Sequence, residues 1–348
     1  MQGQTLYESF KRYRTLQTDI ITTLPIVILM PHSACNCRCV MCDIWKGNQN
    51  LKQLTENDIA DLMSTLKKFN TRQVLMSGGE ALLNPNFFRF CEMLKREGIK
   101  ITLLSTGLTL KKNAEQLVKW VNDIVVSIDG DETAHDAIRN IPGAFNKLRE
   151  GIQQIRSISP DYKITGRTVI HRLNFQRWPQ IIDSAKAIGL NQVSFLPADV
   201  SSHAFNREVL WTEAKQHDIL LSIDDLPLLQ AIIDSLIHEY QSEFDNHFIA
   251  ESPEKIKKVY GYYAAFYNLN PFPYKKCNAP WVSTVVEADG TVRPCFFHPP
   301  LGNIHNTPLD KILNSKEAVH FRKNLNIDTD SICLKCVCSL NLSPGAIP

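Results

Sequence analysis

The 348-residue chain has almost no net charge, because 38 Lys and Arg residues are balanced by 36 Asp and Glu residues. A net charge of +2 provides no basic surface for nucleic acid or an anionic membrane, so we expect neither as a partner. Long apolar runs are also missing. The longest early one, Ile20 to Met30, is interrupted by Thr22, Thr23 and Pro25 and is too short to span a bilayer.

Cysteine is too scarce for a disulfide-stabilised scaffold, since the chain has ten cysteines and they are clustered. The polar stretch from Met1 to Glu8 does not have the pattern of a secretory signal peptide. We therefore expect a cytoplasmic protein, in which thiols stay reduced and free to bind metal. Hydrophobic residues make up 44% of the chain, enough for a large α/β domain with an appendage or for two domains.

Three cysteines follow the apolar run from Leu24 to Met30 in the spacing Cys35-x3-Cys39-x2-Cys42. An iron–sulfur cluster that only transfers electrons is usually held by four thiolates. Three thiolates on one short loop leave one iron with an open position, where a small ligand can bind and react. We interpret this motif as a reactive cluster site.

Apolar, β-rich segments alternate with amphipathic segments through roughly the first 200 residues. We predict strands at Pro25–Met30, Gln73–Met76, Lys100–Leu104, Asp123–Ile128, Lys163–Ile170 and Gln192–Leu196. We predict helices at Ile59–Leu66, between Pro85 and Gly98, and at Asn113–Trp120, Ala144–Ser157 and Arg177–Ile188. This alternation favours a parallel sheet wound as a barrel or part-barrel, with the chemistry at the C-terminal ends of the strands.

Polar or glycine-rich motifs lie at the ends of the first four predicted strands, and together they resemble the landmarks of radical S-adenosylmethionine enzymes. In chain order they are the three-cysteine motif, Gly78-Gly79-Glu80, Ser105-Thr106-Gly107 and Ser127-Ile128-Asp129-Gly130. The resemblance implies a partial (β/α)6 TIM-like barrel. It also implies a [4Fe-4S] cluster held by Cys35, Cys39 and Cys42, with S-adenosylmethionine chelating the open iron.

The resemblance further implies which residues contact S-adenosylmethionine. Gly78 and Gly79 let the backbone approach its amino acid part, and Glu80 accepts hydrogen bonds from its ammonium group. The other expected contacts are made by Met41 with the adenine, by Ser127 and Asp129 with the ribose or methionine part, and by Ser105 and Asn174. Ala81 stands where many relatives have proline, a difference that we expect to be tolerated.

The fifth predicted strand provides two candidate catalytic residues. Strand alternation places Arg167 and His171 on the face opposite Ile164 and Ile170, so we expect both to point into the barrel. Arg167 would then bind a carboxylate of either the methionine part or the substrate. A structural salt bridge for Arg167 and an ordinary hydrogen bond for His171 are the alternatives.

A second group of cysteines lies near the C-terminus. The pattern Cys277-x12-Gly290-x4-Cys295 resembles the start of the SPASM and twitch domains of radical S-adenosylmethionine enzymes, with a hairpin turn at Asp289-Gly290. A predicted helix from about Leu309 to Phe321 follows.

The pair Cys333-x2-Cys336 would complete a closed four-thiolate site. We expect the shorter twitch form, with one auxiliary [4Fe-4S] cluster held by Cys277, Cys295, Cys333 and Cys336. Cys338 could replace Cys336, and a structural zinc site is the alternative for the whole group.

The predicted organisation has four parts: an N-terminal extension (1–23), the barrel core (24–206), a helical segment and linker (207–272) and a small α+β auxiliary-cluster domain (273–348). Several other residues are expected to have ordinary structural roles. They are Cys37, Cys91, the histidines His298, His305 and His320, and the aromatic group Tyr262, Tyr263, Phe266 and Tyr267.

The resemblance implies an oxidoreductase-type enzyme that cleaves S-adenosylmethionine to a 5′-deoxyadenosyl radical, which takes a hydrogen atom from the substrate. An external reductant such as flavodoxin or ferredoxin would supply the electron. We expect a small-molecule substrate (a sugar, aminocyclitol or nucleotide-linked metabolite), because the twitch-like C-terminus resembles that of alcohol-oxidising relatives. We also expect no leader-binding domain before the first strand.

One alternative is a peptide or protein substrate, modified by cross-linking, epimerisation or formylglycine formation. A non-catalytic metal-binding module is a third hypothesis. The Gly78-Gly79-Glu80 motif argues against it, because a passive metal carrier has no need of a methionine site.

Overall fold

Six parallel strands form the core of the protein, whose computed structural model describes residues 5–207 and 209–348. They are β1 (Ile26–Leu29), β2 (Gln73–Met76), β3 (Lys100–Ser105), β4 (Asp123–Ser127), β5 (Ile164–Ile170) and β6 (Gln192–Pro197). Each strand pairs in parallel with the next one along the chain. The partial (β/α)6 barrel is therefore confirmed, and every predicted strand agrees with the observed one to within one residue at each end.

Helix α1 (Leu6–Thr18) precedes β1. Helices connect the strands, as the alternating sequence pattern predicts. They are α2 (Glu56–Lys68), α3 (Phe87–Arg96), α4 (Leu110–Trp120), α5 (Glu132–Arg139), α6 (Ala144–Ile158) and α7 (Trp178–Ala187). Thr55 caps α2 with Asp58 in a capping box. The sequence analysis missed α1 and α5. Helix α5 has only eight residues, too few for a clear 3.6-residue period, and its strongest signal is the capping residue Asp131.

The segment after β6 is helical and closes one end of the sheet. Its helices are α8 (Glu213–His217), α9 (Leu226–Glu239), α10 (Gln241–Asp245) and α11 (Pro253–Ala265). Tyr262 donates a hydrogen bond to the carbonyl of Ala198 at 3.0 Å, and Tyr263 donates to the carbonyl of Ile170. These bonds fasten α11 to the ends of β5 and β6, so the packing role predicted for the aromatic group is confirmed.

The C-terminal segment continues the barrel sheet. Its elements are α12 (Ala279–Val282), β7 (Ser283–Val286), β8 (Thr291–Arg293), β9 (Gly302–Asn303), α13 (Leu309–Leu313), α14 (Lys316–Asn324) and α15 (Ser331–Lys335). The predicted hairpin is formed by β7 and β8, but β7 also pairs in parallel with β1. Over the described residues the sheet order is therefore β6-β5-β4-β3-β2-β1-β7-β8-β9.

One detail of the C-terminal prediction differs from the structure. The predicted helix from Leu309 to Phe321 is two helices, because Ser315 interrupts it and caps α14. The domain boundary at residue 273 stays a prediction, although β7 belongs to the same sheet as the barrel strands. Short 3₁₀ helices lie at Ile44–Gln49, Ala81–Leu83, Phe175–Arg177 and Ile223–Asp225. In the part of the chain that is described, no helix has the length and apolar character needed to cross a bilayer.

Candidate active site

A cavity of about 600 Å³ lies inside the curved sheet and extends to the C-terminal ends of its strands. Both groups of cysteines line it: Cys35, Cys39 and Cys42 from the N-terminal region, and Cys277, Cys295, Cys333, Cys336 and Cys338 from the C-terminal region. All of these residues are free thiols. The pairing of β7 with β1 explains this arrangement, because it places the C-terminal hairpin next to the loop that follows β1.

The loop after β1 is held tightly against the end of β2. The backbone N–H of Glu80 donates to the carbonyl of Ala34 at 2.9 Å. A Cβ atom at Gly79 would lie 2.1 Å from that same carbonyl oxygen, so only glycine allows this approach. The side chain of Asn48 bonds both the N–H and the carbonyl of Cys35, at 3.0 and 2.9 Å. The first thiol is therefore positioned by backbone contacts on two sides.

The three N-terminal thiols have different electrostatic environments. Burial raises the pKa of Cys35 to about 11. Burial, together with the charges of Cys39 and Cys35, raises the pKa of Cys42 to about 12. A hydrogen bond with Cys37 and the positive charge of Arg139 lower the pKa of Cys39. Cys37 is buried and does not line the cavity, in agreement with its expected bystander role.

Arg139, at the end of α5, is a cation in direct contact with this group of thiols. Its Nη1 lies 3.5 Å from the Sγ of Cys39, and its Nη2 lies 2.5 Å from the Oδ2 of Asp129. Asp129 raises the pKa of Arg139 although burial opposes that shift. Asp129 itself is fully buried and does not line the cavity. The structure therefore places Asp129 behind the cysteine loop as the partner of Arg139, and its contact with S-adenosylmethionine stays a prediction.

Glu80 is hydrogen-bonded to the end of β3. Its carboxylate accepts hydrogen bonds from the hydroxyl of Ser105 at 2.9 Å and from the N–H and hydroxyl of Thr106 at 2.9 and 2.7 Å. It is fully buried and does not line the cavity, whereas Gly78, Gly79, Ser105 and Thr106 do. Glu80 thus fixes the end of β3 through Ser105 and Thr106, and its contact with the ammonium group of S-adenosylmethionine stays a prediction.

The fifth strand presents one of its two candidate catalytic residues to the cavity. Arg167 lines the cavity and donates from Nε to the hydroxyl of Ser194 at 3.1 Å. His171 is fully buried and does not line the cavity, and burial lowers its pKa to about 3. Because β5 ends at Ile170, strand alternation does not set the direction of the His171 side chain, and its catalytic role stays a prediction.

Of the remaining residues predicted to contact S-adenosylmethionine, some line the cavity and one is buried outside it. Asn174 is buried outside the cavity, where its Oδ1 accepts from the N–H of His171 at 2.8 Å and its amide donates to the carbonyl of Asp129 at 3.2 Å. Asn174 therefore shapes the loop after β5. Met41 and Ser127 line the cavity, and their contacts with S-adenosylmethionine stay predictions.

The C-terminal thiols come from three separate stretches of the chain. The backbone N–H groups of Phe297 and His298 donate to Cys295, and burial raises the pKa of that thiol to about 11. The Nε2 of His298 lies 3.2 Å from the Sγ of Cys333. Lys275 donates to the carbonyl of Leu334 at 3.0 Å and to that of Cys336. These contacts gather the cysteines on one side of the cavity.

The donor sets fit two iron–sulfur clusters. The N-terminal loop offers three soft thiol donors on one cavity wall, a set that leaves one iron open. The C-terminal group offers five thiols, one more than a closed cluster takes. Ligand atoms of His298, Asp330 and Cys333 also lie within 4.8 Å of one another, which is the arrangement closest to the zinc alternative.

Family models decide between these possibilities. The Radical SAM superfamily model matches residues 29–185, and the model of the SPASM iron–sulfur cluster-binding domain matches residues 277–337. This chain is a radical SAM enzyme. Its first cluster is a [4Fe-4S] cluster that works with S-adenosylmethionine, and its SPASM domain holds an auxiliary iron–sulfur cluster. A non-catalytic metal module is thereby excluded.

Similar proteins agree with this assignment. The chain is 23% identical over 291 residues to the subtilosin biosynthesis protein AlbA of Bacillus subtilis, a match that covers 81% of this chain and 57% of AlbA. It is 24% identical over 319 residues to the AdoMet-dependent heme synthase of Methanosarcina barkeri, covering 87% and 85% of the two chains. The crystal structure of Streptococcus suis SuiB bound to S-adenosylmethionine has the same fold, with a TM-score of 0.65, 14% identity and coverage of 94% and 75%.

Sequence reasoning missed a cationic contact to the cluster loop of this radical SAM enzyme. Arg207 is buried, lies 2.5 Å from Asp199, and donates from Nη2 to the carbonyl of Met41 at 3.4 Å. Its guanidinium stacks on Trp211 at 4.0 Å, and Trp211 donates to Asp43 at 2.7 Å. The segment after β6 is thus fastened over the cluster loop. Arg207 lies in the irregular stretch between β6 and α8, which contains no recognisable motif, so no sequence signal pointed to this contact.

Proposed function

We propose that this radical SAM enzyme abstracts a hydrogen atom from an organic substrate held between its two groups of thiols. One observation carries the proposal: a single cavity of about 600 Å³ is lined by both groups. When bound, the cluster and S-adenosylmethionine supply a one-electron cleavage that yields methionine and a 5′-deoxyadenosyl radical. The protein's own contribution is to position the reactants and exclude water.

Different residues of the cavity wall would bind the first cluster, S-adenosylmethionine and the auxiliary cluster. Cys35, Cys39 and Cys42 would hold the first cluster, and Gly78, Gly79, Ser105, Met41 and Ser127 would surround S-adenosylmethionine. Glu80, Asp129 and Asn174 support this surface from behind, through the hydrogen bonds and the ion pair described above. Cys277, Cys295, Cys333 and Cys336 would hold the auxiliary cluster, with Cys338 as the alternative fourth ligand.

Arg167 supports a substrate that carries a carboxylate. Its Nε bonds Ser194, and among the described residues its terminal nitrogens have no hydrogen-bond acceptor. Burial raises the pKa of Cys338, and the positive charge of Arg167 opposes that shift, so Arg167 lies on the auxiliary side of the cavity. A guanidinium fork matches the geometry of a carboxylate. We therefore place the substrate, and not the methionine part, next to Arg167.

The size and lining of the cavity support a metabolite-sized substrate that is oxidised or rearranged. Its volume falls within the range of about 300–1,000 Å³ of small-ligand pockets, and S-adenosylmethionine must occupy part of it. Apolar side chains such as Leu75, Val125, Val169 and Leu196 form much of the wall. A compact, largely apolar substrate with one anionic group fits this surface.

A peptide substrate is the second candidate, and the similarity to AlbA, a bacteriocin biosynthesis protein, favours it. In that case a single side chain of the peptide would enter the cavity. An external reductant such as flavodoxin or ferredoxin remains part of the proposal for either substrate, as does a cytoplasmic location.

Substrate-dependent formation of 5′-deoxyadenosine tests the proposal. The reconstituted enzyme is incubated anaerobically with dithionite, S-adenosylmethionine and panels of carboxylated metabolites and of peptides. We expect a metabolite to raise 5′-deoxyadenosine above its background, and Arg167→Gln to raise the KM for that metabolite while leaving background cleavage unchanged. Stimulation by peptides alone would contradict the metabolite proposal, and failure to cleave S-adenosylmethionine at all would contradict the activity itself.

A further inference from the structure

His298 contacts two cysteines of the auxiliary group that come from distant parts of the chain. Its side chain is almost completely buried, and its backbone N–H donates to Cys295. Its Nε2 lies 3.2 Å from the Sγ of Cys333. The residue therefore joins the end of the β7–β8 hairpin to the C-terminal cysteine pair.

The surroundings of the imidazole determine which ring nitrogen carries the proton. Nε2 faces the sulfur of Cys333 and, at 3.8 Å, the Oδ1 of Asp330. Both neighbours are hydrogen-bond acceptors once Cys333 is a thiolate, so the proton of the neutral ring belongs on Nε2. Asp330 is itself fixed, because its Oδ1 accepts the N–H groups of Ile332 and Cys333 at 3.0 and 2.9 Å.

The ring is held in this orientation from its other sides. Phe321 packs edge-on against it with the ring centroids 5.0 Å apart. Arg293 donates to the backbone carbonyl of His298 at 3.1 Å. Because both the ring and the backbone are fixed, the N–H points at the sulfur before any metal is bound.

We propose that His298 donates a hydrogen bond to the Cys333 thiolate and thereby raises the reduction potential of the auxiliary cluster. Reduction adds negative charge that is shared with the sulfur ligands, and a nearby N–H stabilises that charge. A role as an iron ligand is disfavoured, because five thiols already exceed the four positions of a closed cluster. This inference rests on the auxiliary cluster and is independent of the substrate.

The test is an EPR-monitored redox titration of the auxiliary cluster in full-length protein. The Cys35→Ala/Cys39→Ala/Cys42→Ala background removes the signal of the first cluster. In this background we expect His298→Leu to shift the ratio of reduced to oxidised cluster about tenfold toward the oxidised form at a fixed potential. Such a shift corresponds to about 59 mV for one electron. The amide of His298→Gln can still donate, so that variant should recover part of the shift.

His305→Leu is the matched control, because the exposed ring of His305 bonds Asp58 and no cysteine. Its titration should coincide with that of the unchanged protein. Pulsed EPR adds a measurement that needs no variant: a hydrogen-bonded imidazole gives only a weak nitrogen coupling. Equal potentials for the Leu variant and the unchanged protein, or a strong nitrogen coupling typical of a direct ligand, would overturn the proposal. Neither readout uses S-adenosylmethionine or substrate, so neither depends on the proposed function.

Discussion

The two groups of thiols are built in opposite ways. The first group comes from one short loop, which backbone contacts with Gly79, Glu80 and Asn48 hold in place. The second group comes from the segment before α12, the end of the β7–β8 hairpin and the C-terminal helix α15. Bringing together distant segments costs more conformational entropy than shaping one loop. The first site is therefore set by local structure, whereas the second depends on the fold and on metal binding.

Their electrostatic support differs as well. A charged pair, Arg139 with the fully buried Asp129, lies behind Cys39. The auxiliary group is supported by the imidazole of His298 and by Lys275, whose ammonium bonds backbone carbonyls. Removing one member of the first pair leaves an uncompensated buried charge, while removing His298 leaves none. The first site should therefore be much more sensitive to single substitutions.

Removing the thiols of one site should separate S-adenosylmethionine cleavage from substrate turnover. This is the largest effect that we expect. Cys35→Ala/Cys39→Ala/Cys42→Ala should abolish cleavage of S-adenosylmethionine and lower the iron content by about four atoms per chain. Cys277→Ala/Cys295→Ala should lower iron by a similar amount but retain cleavage without substrate turnover. Iron analysis and 5′-deoxyadenosine assays measure both outcomes. Cleavage that persists in the first variant would contradict the assignment of the two sites.

Substituting Arg139 should cause the next largest effect. Arg139→Gln leaves the carboxylate of Asp129 buried without its partner, and breaking a buried pair in this way costs about 3–5 kcal/mol of stability. Urea unfolding of the metal-free protein measures the loss. Arg139→Met/Asp129→Leu should recover most of it, because no buried charge remains.

Arg177→Gln provides the matched control for this prediction. Arg177 pairs with Asp131 at 2.9 Å, but both side chains are more than 40% exposed. An exposed pair contributes only about 0–1 kcal/mol. If Arg139→Gln lowered the free energy of unfolding by no more than Arg177→Gln does, the Arg139–Asp129 pair would not stabilise the first site.

The tight approach at Gly79 gives a smaller effect that is specific to the first site. The new methyl group of Gly79→Ala would meet the backbone of Ala34, and forcing atoms into a packed region costs about 1–3 kcal/mol. We expect the cysteine loop to shift and S-adenosylmethionine cleavage to fall at least tenfold, with the auxiliary EPR signal unchanged. Gly345→Ala is the control, because a methyl group there has no atom within 4 Å. Equal activity of the two variants would rule out this positioning role.

The barrel and the cysteine loops could be predicted from the sequence because they depend on short-range patterns. Apolar runs fixed the six parallel strands, and the glycines at 78 and 79 marked the close approach. The pairing of β7 with β1 could not be predicted, since it joins segments far apart in the chain. Nor could the burial of Glu80 and His171 outside the cavity, because side chains beyond a strand's last residue no longer follow its alternation. Arg139 was missed together with the short helix that carries it.

The smallest expected effect concerns the fifth auxiliary thiol. Cys338 lies close enough to Arg167 for that charge to oppose the rise of its pKa, whereas the Sγ of Cys336 donates to the carbonyl of Cys338 at 2.7 Å. We therefore expect Cys336, paired with Cys333 at the end of α15, to ligate the auxiliary cluster and Cys338 to remain a free thiol facing the substrate. Cys336→Ala should then lose the auxiliary iron and its EPR signal, and Cys338→Ala should keep both. Cys91→Ala, a change in the buried face of α3, controls for the loss of a thiol as such. The reverse result would make Cys338 the fourth ligand and place Cys336 outside the cluster.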